Sequence, residues 1–344
     1  LSLLSDRQIQ QLLDQSALVH SGIGGTAASL EIEGIPVFAK RVPLTDLEMR
    51  PENVMSTGNT FGLPAQFHYG LVSLGFGAWR ELASHTMTTN WVLARQCESF
   101  PLMYHSRVLT GQSRVAPTSE VQKELSQMVE YWEGASSVRL RLKEVEQSTA
   151  HVVLFLEHIP QNLLEWLNMQ LAIGEEAISS ACAMLERSLS TEVSFMNSNG
   201  LLHLDAHSKN ILTDGQRLYF ADFGLAVSPR FELSDDEADF VKLNRLHDSS
   251  HTIAQFVNWL VTALGGATIS SIEERNEFVR RCANGDQISF EPPAASVIIK
   301  RYAPVAVIFN DFYRELYLGR SNTPFPSAEL EQAWRIIGLG HHEN

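Results

Sequence analysis

Residues 203–224 read HLDAHSKNILTDGQRLYFADFG. Two apolar runs flank Asp214-Gly215, a dipeptide that favours the tight turn of a β-hairpin. A short hairpin brings its two ends together, so Asn210 at its start and Asp222 at its far end converge on one region. Asp205 lies five residues before Asn210, on the loop that enters the hairpin. Two carboxylates and a carboxamide are hard oxygen donors of the kind Mg²⁺ takes. Phosphoryl transfer is mostly positioning and charge neutralisation. It needs a metal-binding carboxylate, a second oxygen ligand, a carboxylate to orient the attacking hydroxyl, and a cation on the phosphates. The stretch supplies the first three.

The cation lies far upstream. In HSGIGGTAASLEIEGIPVFAKRV, residues 20–42, Gly22, Gly24 and Gly25 open a β-type stretch. Glu33-Gly34 turns the chain, and IPVFAKRV returns as a strand carrying Lys40. Residues 43–75 are irregular and rich in Pro, Gly and Asn, a connection long enough to expect a function of its own. GAWRELASHTMTTNWVLARQ (77–96) reads as a helix and FPLMYHSRVL (100–109) as a strand. Residues 117–148 read as a charged helical region. HVVLFLEHI (151–159) is a continuous apolar run rich in Val, the pattern of a strand buried on both faces. After Pro160 the chain is helical, with a long helix over about 175–199 stopped by Asn199-Gly200. Ser5 is a candidate N-cap for a helix over 5–18, and Ser234 with Glu237 forms a capping box. The six tryptophans, at 79, 91, 132, 166, 259 and 334, fall in predicted helices and read as core packing.

The ordered set HLDAHSKNIL, a hairpin, then ADFG resembles the catalytic core of the protein-kinase-like superfamily. The resemblance covers about residues 18–320, with its strongest motifs at 203–224. It implies an α+β, bilobal fold: a small N-lobe with an antiparallel sheet plus a helix, and a large helical C-lobe. The N-lobe would span 1–159, with inserts at 43–75 and 111–149, and the C-lobe 160–344. Carried over residue by residue, Asp205 looks like the catalytic aspartate, and Asn210 and Asp222 like the Mg²⁺ ligands. Lys40 would contact the ATP phosphates. Gly22, Gly24 and Gly25 resemble the phosphate-covering loop, although the third family glycine is missing. Glu81 is the expected partner of Lys40, with Glu48 as the alternative. Backbone groups of Glu157 and Ile159 would bond the adenine, and Leu156 would guard the back pocket. Asp248 opens a predicted helix and reads as structural, an N-cap.

Three details concern the acceptor. Leu204 stands where kinases switched by loop phosphorylation carry Arg. His207 stands two residues after Asp205, where protein Ser/Thr kinases usually carry Lys. This Asp-x-His-x-x-Asn pattern is similar to aminoglycoside and choline kinases, and makes His207 a candidate catalytic residue. The segment after Asp222 is short and lacks Ala-Pro-Glu. Against these, Asp-Phe-Gly is complete. The reading is an ATP- and Mg²⁺-dependent kinase that passes the γ-phosphoryl group to a hydroxyl, with protein Ser/Thr favoured. A small-molecule phosphotransferase, a nucleotide-binding pseudokinase scaffold and a nucleotidyl transferase stay open. His203 reads as a brace for the loop or, with His207, as a metal ligand.

Composition sets outer bounds. The 344 residues carry 40 acidic and 26 basic side chains, a net charge of −14. Such a field repels nucleic acid and anionic membrane, so neither is an expected partner. ATP is anionic too, so local lysine, metal and backbone N–H groups must overcome the global charge. Three well-separated cysteines, Cys97, Cys182 and Cys282, argue against a disulfide framework and fit a reducing cytoplasm. No apolar run reaches the ~18 residues of a membrane span. The start, LSLLSDRQIQQLL, lacks a basic region and reads as an amphipathic helix rather than a signal peptide.

Overall fold

A computed structural model describes residues 1–22, 25–71, 73–111, 119–266, 269–286 and 289–338. The protein is α+β, and its contacts divide it into two compact units. The first comprises Leu1–Ile159, His203–Asp205 and Ala221–Phe240; the second comprises Pro160–Leu202, Ala206–Phe220 and Val241–Asn344.

The first unit begins with helix α1 (Asp6–Asp14), where Ser5 and Gln8 form a capping box. Such a cap contributes about 1 kcal/mol. The helix stops at Asp14, short of the expected 18, because Ala17–Gly22 joins the sheet as β1. Strands β2 (Gly25–Ile32), β3 (Ile35–Leu44), β4 (Met103–Thr110) and β5 (Ala150–Glu157) complete an antiparallel sheet ordered β1-β2-β3-β5-β4. Helix α2 (Ala78–Leu93) covers one face. Val42, Leu44, Val152, Leu154 and Leu156 pack there against Ala78, Trp79 and Leu82. Val37, Ala39, Val153 and Phe155 point the other way, onto Ile9 and Leu13 of α1. Helices on both faces explain why β5 is apolar throughout rather than alternating. Lys40 shares the parity of Val42 and Leu44, so strand periodicity aims it at α2.

Residues 43–75 are not wholly irregular. Pro43 and Leu44 end β3, and Ala65–Tyr69 form a 3₁₀ turn closed by Gly70 at φ 74. Helices α3 (Ser119–Tyr131) and α4 (Ser136–Glu146) follow β4. Trp132 falls one residue past α3, not inside it, yet is buried as expected. With Met128 and Val138 it packs on Phe61, Leu63, Phe67 and Phe76. Residues 61–76 and 128–138 therefore contribute to a core of their own.

In the second unit β6 (Gln161–Asn162), β7 (Ile211–Thr213) and β8 (Leu218–Phe220) form a small sheet in that order. The hairpin turn places Gly215 at φ 90. Asn162 caps α5 (Leu163–Ile173), and α6 (Glu175–Ser198) ends before Gly200 at φ 81. Helix α7 (Asp235–Leu243) starts with the Ser234–Glu237 capping box and passes from the first unit to the second. Helices α8 (His247–Leu264), α9 (Ile272–Ala283), α10 (Pro293–Tyr317) and α11 (Ser327–Ile336) pack around α10. Asn258 and Asn310 exchange amide bonds of 2.8 and 2.9 Å between α8 and α10. Asp248 is not an N-cap: α8 begins one residue earlier, and the carboxylate is fully buried beside His247. No helix of the described residues is long and apolar enough to cross a membrane.

Candidate functional site

Three charged side chains meet at one edge of the first unit. Lys40 Nζ lies 2.7 Å from Glu81 Oε1 and 2.7 Å from Asp222 Oδ1. The bond to Asp222 is directed, whereas the approach to Glu81 is an ion pair out of line for a hydrogen bond. Lys40 stands on β3, where it registers with Leu154 of β5. Glu81 stands in the first turn of α2. Asp222 follows the hairpin by two residues and takes φ 62, a left-handed backbone that non-glycine residues rarely adopt.

Exposure differs sharply within the trio. The side chain of Glu81 is 3% exposed, that of Lys40 15%, and that of Asp222 48%. Burial raises the Glu81 carboxyl above its ordinary value, and Lys40 opposes that only in part. Burial works against the Lys40 ammonium as well, but Asp222 and Glu81 together outweigh it and hold the lysine above its usual range. Desolvation opposes the charge on Asp222 too, and the Lys40 ammonium overcomes it, holding the carboxyl down to about 2. The arrangement is therefore a fixed cation, with one buried counter-charge behind it and one ionised carboxylate facing water.

Glu48, the alternative partner of Lys40, is committed elsewhere. Its Oε1 accepts the Ala78 N–H at 2.9 Å, and its Oε2 accepts from Arg141 Nη1 at 2.9 Å. A carboxylate at a helix N-terminus meets the orphan N–H groups and the positive end of the dipole. Gly77, at φ 140, takes a backbone that side chains rarely adopt, and a β-carbon there would also crowd Glu48 Oε1.

Asp205 is tied to the same unit through His203. The His203 ring donates Nε2–H to Ala221 O at 2.9 Å and accepts the Asp205 N–H on Nδ1 at 3.3 Å. Both nitrogens thus hold backbone, which is a bracing role and leaves none for a metal. Leu204 takes φ 63 and is fully buried. Left-handed residues immediately before Asp205 and at Asp222 are the kind of backbone strain that clusters at functional sites.

His207 and Asn210 belong to the second unit. There His207 Nδ1 accepts the Lys209 and Asn210 N–H groups at 3.2 and 3.3 Å, closing the turn into β7. Glu157 ends β5, and its N–H donates to Leu102 O at 2.7 Å. Ile159 closes the first stretch of the first unit. Gly22 pairs with Gly25 across β1 and β2, and Gly24 lies outside the described residues. Gly25, at φ 130, is required by the sheet itself, because a β-carbon would overlap Arg41 O on β3.

Sequence reasoning missed His85. It lies four residues after Glu81, on the same side of α2, with its ring edge-on to Phe223 at 5.0 Å. Among the described residues neither of its ring nitrogens has a hydrogen-bond partner. Burial, helped by the nearby Lys40 charge, pushes its pKa down to about 3, so the ring is neutral. It also missed the buried pairing of Arg80 on α2 with Glu237 on α7, reading Glu237 for its cap alone. The available signal was AWREL: with Trp79, Arg80, Glu81 and Leu82 all buried, this turn of α2 has no water-facing side.

No protein-family model matches the chain, and a search of curated proteins finds no significant similarity.

Proposed function

We propose that this chain is an ATP- and Mg²⁺-dependent phosphotransferase with a bilobal protein-kinase-like fold, acting on a hydroxyl acceptor. The observation that carries the reading is the Lys40 ammonium held at 2.7 Å from both Glu81 and Asp222. These residues come from a strand, a helix and a post-hairpin turn, and their meeting is the charge pattern that phosphate positioning demands. The residues fit the groups they are proposed to hold. Lys40 is a fixed cation for phosphate oxygens. Asp222 is an ionised, half-exposed oxygen donor of the kind Mg²⁺ takes.

Each residue then has a distinct task. Lys40 draws the phosphate tail into register, and Glu81 fixes the lysine from behind. Asp222 would hold the metal, with Asn210 the second ligand proposed from the sequence, and the bound ion would neutralise charge on the phosphates. Asp205, with its backbone braced by His203, orients the acceptor hydroxyl and accepts its proton as the phosphoryl group leaves ATP. The complete Asp-Phe-Gly favours a protein Ser or Thr acceptor. His207 in place of lysine is the feature that favours a small-molecule acceptor. Backbone groups at Glu157 and Ile159 are assigned to adenine, and the turn at Gly22, Gly24 and Gly25 to the phosphates.

The test is transfer from γ-labelled ATP to a panel of proteins, aminoglycosides and amino alcohols, with product mass measured. Wild type is expected to add a single phosphoryl group, and Asp222→Ala to lose at least a hundredfold in rate while remaining folded. Full activity in Asp222→Ala would remove the assignment. A product heavier by a nucleotidyl group would replace phosphoryl transfer with nucleotidyl transfer.

A further inference from the structure

The segment after Asp222 is held by residues that precede α2. Gly224 O accepts the Phe76 N–H at 3.4 Å, and a β-carbon on Gly75 would overlap that same carbonyl. His68 donates Nδ1–H to Leu225 O at 2.8 Å. Gly70 passes so close that a β-carbon there would lie 3.0 Å from Leu225 and 3.2 Å from Asp205 Oδ1. Further along, Ser56 Oγ bonds the Glu232 carboxylate and Thr57 Oγ1 accepts the Glu232 N–H at 3.0 Å.

Beneath these contacts lies a buried ion pair. Arg80 Nη1 of α2 is 2.8 Å from Glu237 Oε1 of α7, with side chains 2% and 1% exposed. The pair is close but off-axis for a hydrogen bond. Arg80 also donates Nε–H to Thr57 O at 2.6 Å and stacks over Phe76 at 4.8 Å. One guanidinium therefore ties α2, residues 56–76 and residues 222–240 together, beside Glu81.

In kinases switched by phosphorylation, an arginine–phosphate pair orders the segment after the metal-binding aspartate. Here the carboxylate is built in. Between residues 225 and 240 the only hydroxyls are Ser228 and Ser234. Ser228 is fully buried, and its Oγ accepts the Arg230 N–H at 3.1 Å. Ser234 caps α7. Neither is presented as a switch.

We propose that Arg80 and Glu237 are a positioning pair that, with residues 56–71 and 73–76 as a strap, locks the post-Asp222 segment without phosphorylation. The proposal rests on the phosphotransferase reading for its catalytic consequence, though not for its structural one. Neither residue touches the reacting atoms; they act through Glu81 and Asp222.

The test compares wild type, Glu237→Gln and Thr57→Val, the last being milder because it spares the ion pair. Amide exchange is followed by mass spectrometry over 56–76 and 222–240, alongside ATP affinity, kcat and a phosphatase-treated sample. Glu237→Gln is expected to raise exchange at least tenfold in both segments together, leaving β2–β5 unchanged. Its kcat should fall at least tenfold with ATP affinity within twofold, a split that general unfolding would not give. Thr57→Val should show the same joint rise on a smaller scale. Wild-type turnover should survive phosphatase treatment. Exchange that rises in one segment alone, or in neither variant, overturns the lock, as does turnover lost to phosphatase. If wild type shows no turnover with any acceptor, the phosphotransferase reading fails, and the exchange measurement still decides the lock.

Discussion

Replacing Lys40 by methionine separates the proposed catalytic task of the charge cluster from its structural cost. Lys40→Met removes the cation on which phosphate positioning would depend, so transfer should fall to background. It also strands the Glu81 carboxylate, whose side chain is 3% exposed, with no cation opposite. A buried carboxylate left alone takes up a proton rather than stay charged, and that bounds the penalty. Between an ordinary value of 4.5 and pH 7, at about 1.36 kcal/mol per pH unit, the ceiling is about 3 kcal/mol. At pH 5 it is under about 1 kcal/mol. The sign follows from the raised folded pKa: there is no penalty below 4.5, and it grows as pH rises above that value. The double variant Lys40→Met/Glu81→Gln keeps the shape and removes the stranded charge. It should recover most of the lost stability at pH 7 and none of the activity. Urea unfolding followed by tryptophan fluorescence at pH 5, 6, 7 and 8, on the three proteins, measures this. A deficit in Lys40→Met that is equal at pH 5 and pH 8 would refute the reasoning. So would a double variant no more stable at pH 7 than the single one.

Acidification should weaken the fold before its carboxylates titrate. Burial holds His85 down to about 3 and His151 to about 4, both from 6.5. The unfolded chain therefore binds more protons below pH 6.5, and these two rings should remove about 2 kcal/mol each between pH 7.5 and 5, with His68, also held down by burial, acting in the same direction. His85→Leu should lose about 2 kcal/mol of that pH dependence in urea titrations; an unchanged slope would show that its ring is not held neutral. Gly25→Ala combines φ 130 with overlap onto Arg41 O, whereas Gly34→Ala has φ 82 and open space. Thermal unfolding should show the first losing about 2 kcal/mol or more and the second about 1 kcal/mol, and equal losses would discount the close approach of β2 to β3.

The parts of this fold that were legible in the sequence are those carried by short-range chemistry. Asp214-Gly215 between apolar runs specified the hairpin, Ser5 and Ser234 specified helix starts, and the unbroken run in 151–157 specified a strand covered on both sides. Glu81 stands on a periodic helix and Glu48 in an aperiodic segment, and Glu81 is the residue the structure places at Lys40. What was not legible depends on partners distant in sequence. Nothing local says that Gly70 and Gly75 are glycine because the backbone runs against Asp205, Leu225 and Gly224. Nothing local distinguishes Asp248 as an N-cap from Asp248 as a buried carboxylate inside α8, since both follow a helix-start pattern. The segment 43–76 carries no period because its order comes from side chains bonding outward rather than from a repeating face.

These long-range contacts converge on α2, and the helix register makes them interdependent. Glu81 and His85 lie one turn apart and face Lys40 and Phe223. Arg80, about 100° around the helix, faces Glu237. Rotating α2 by one residue would take Glu81 away from Lys40 and Arg80 away from Glu237 in the same movement. What prevents it is Glu48, which accepts the Ala78 N–H through Oε1 and the Trp79 indole N–H, at 3.0 Å, through its backbone carbonyl. Arg141 holds that carboxylate from α4. The connection between β3 and α2 is therefore the part that sets the angle of the helix. Breaking its hold at Glu48 should therefore disturb both charge pairs together.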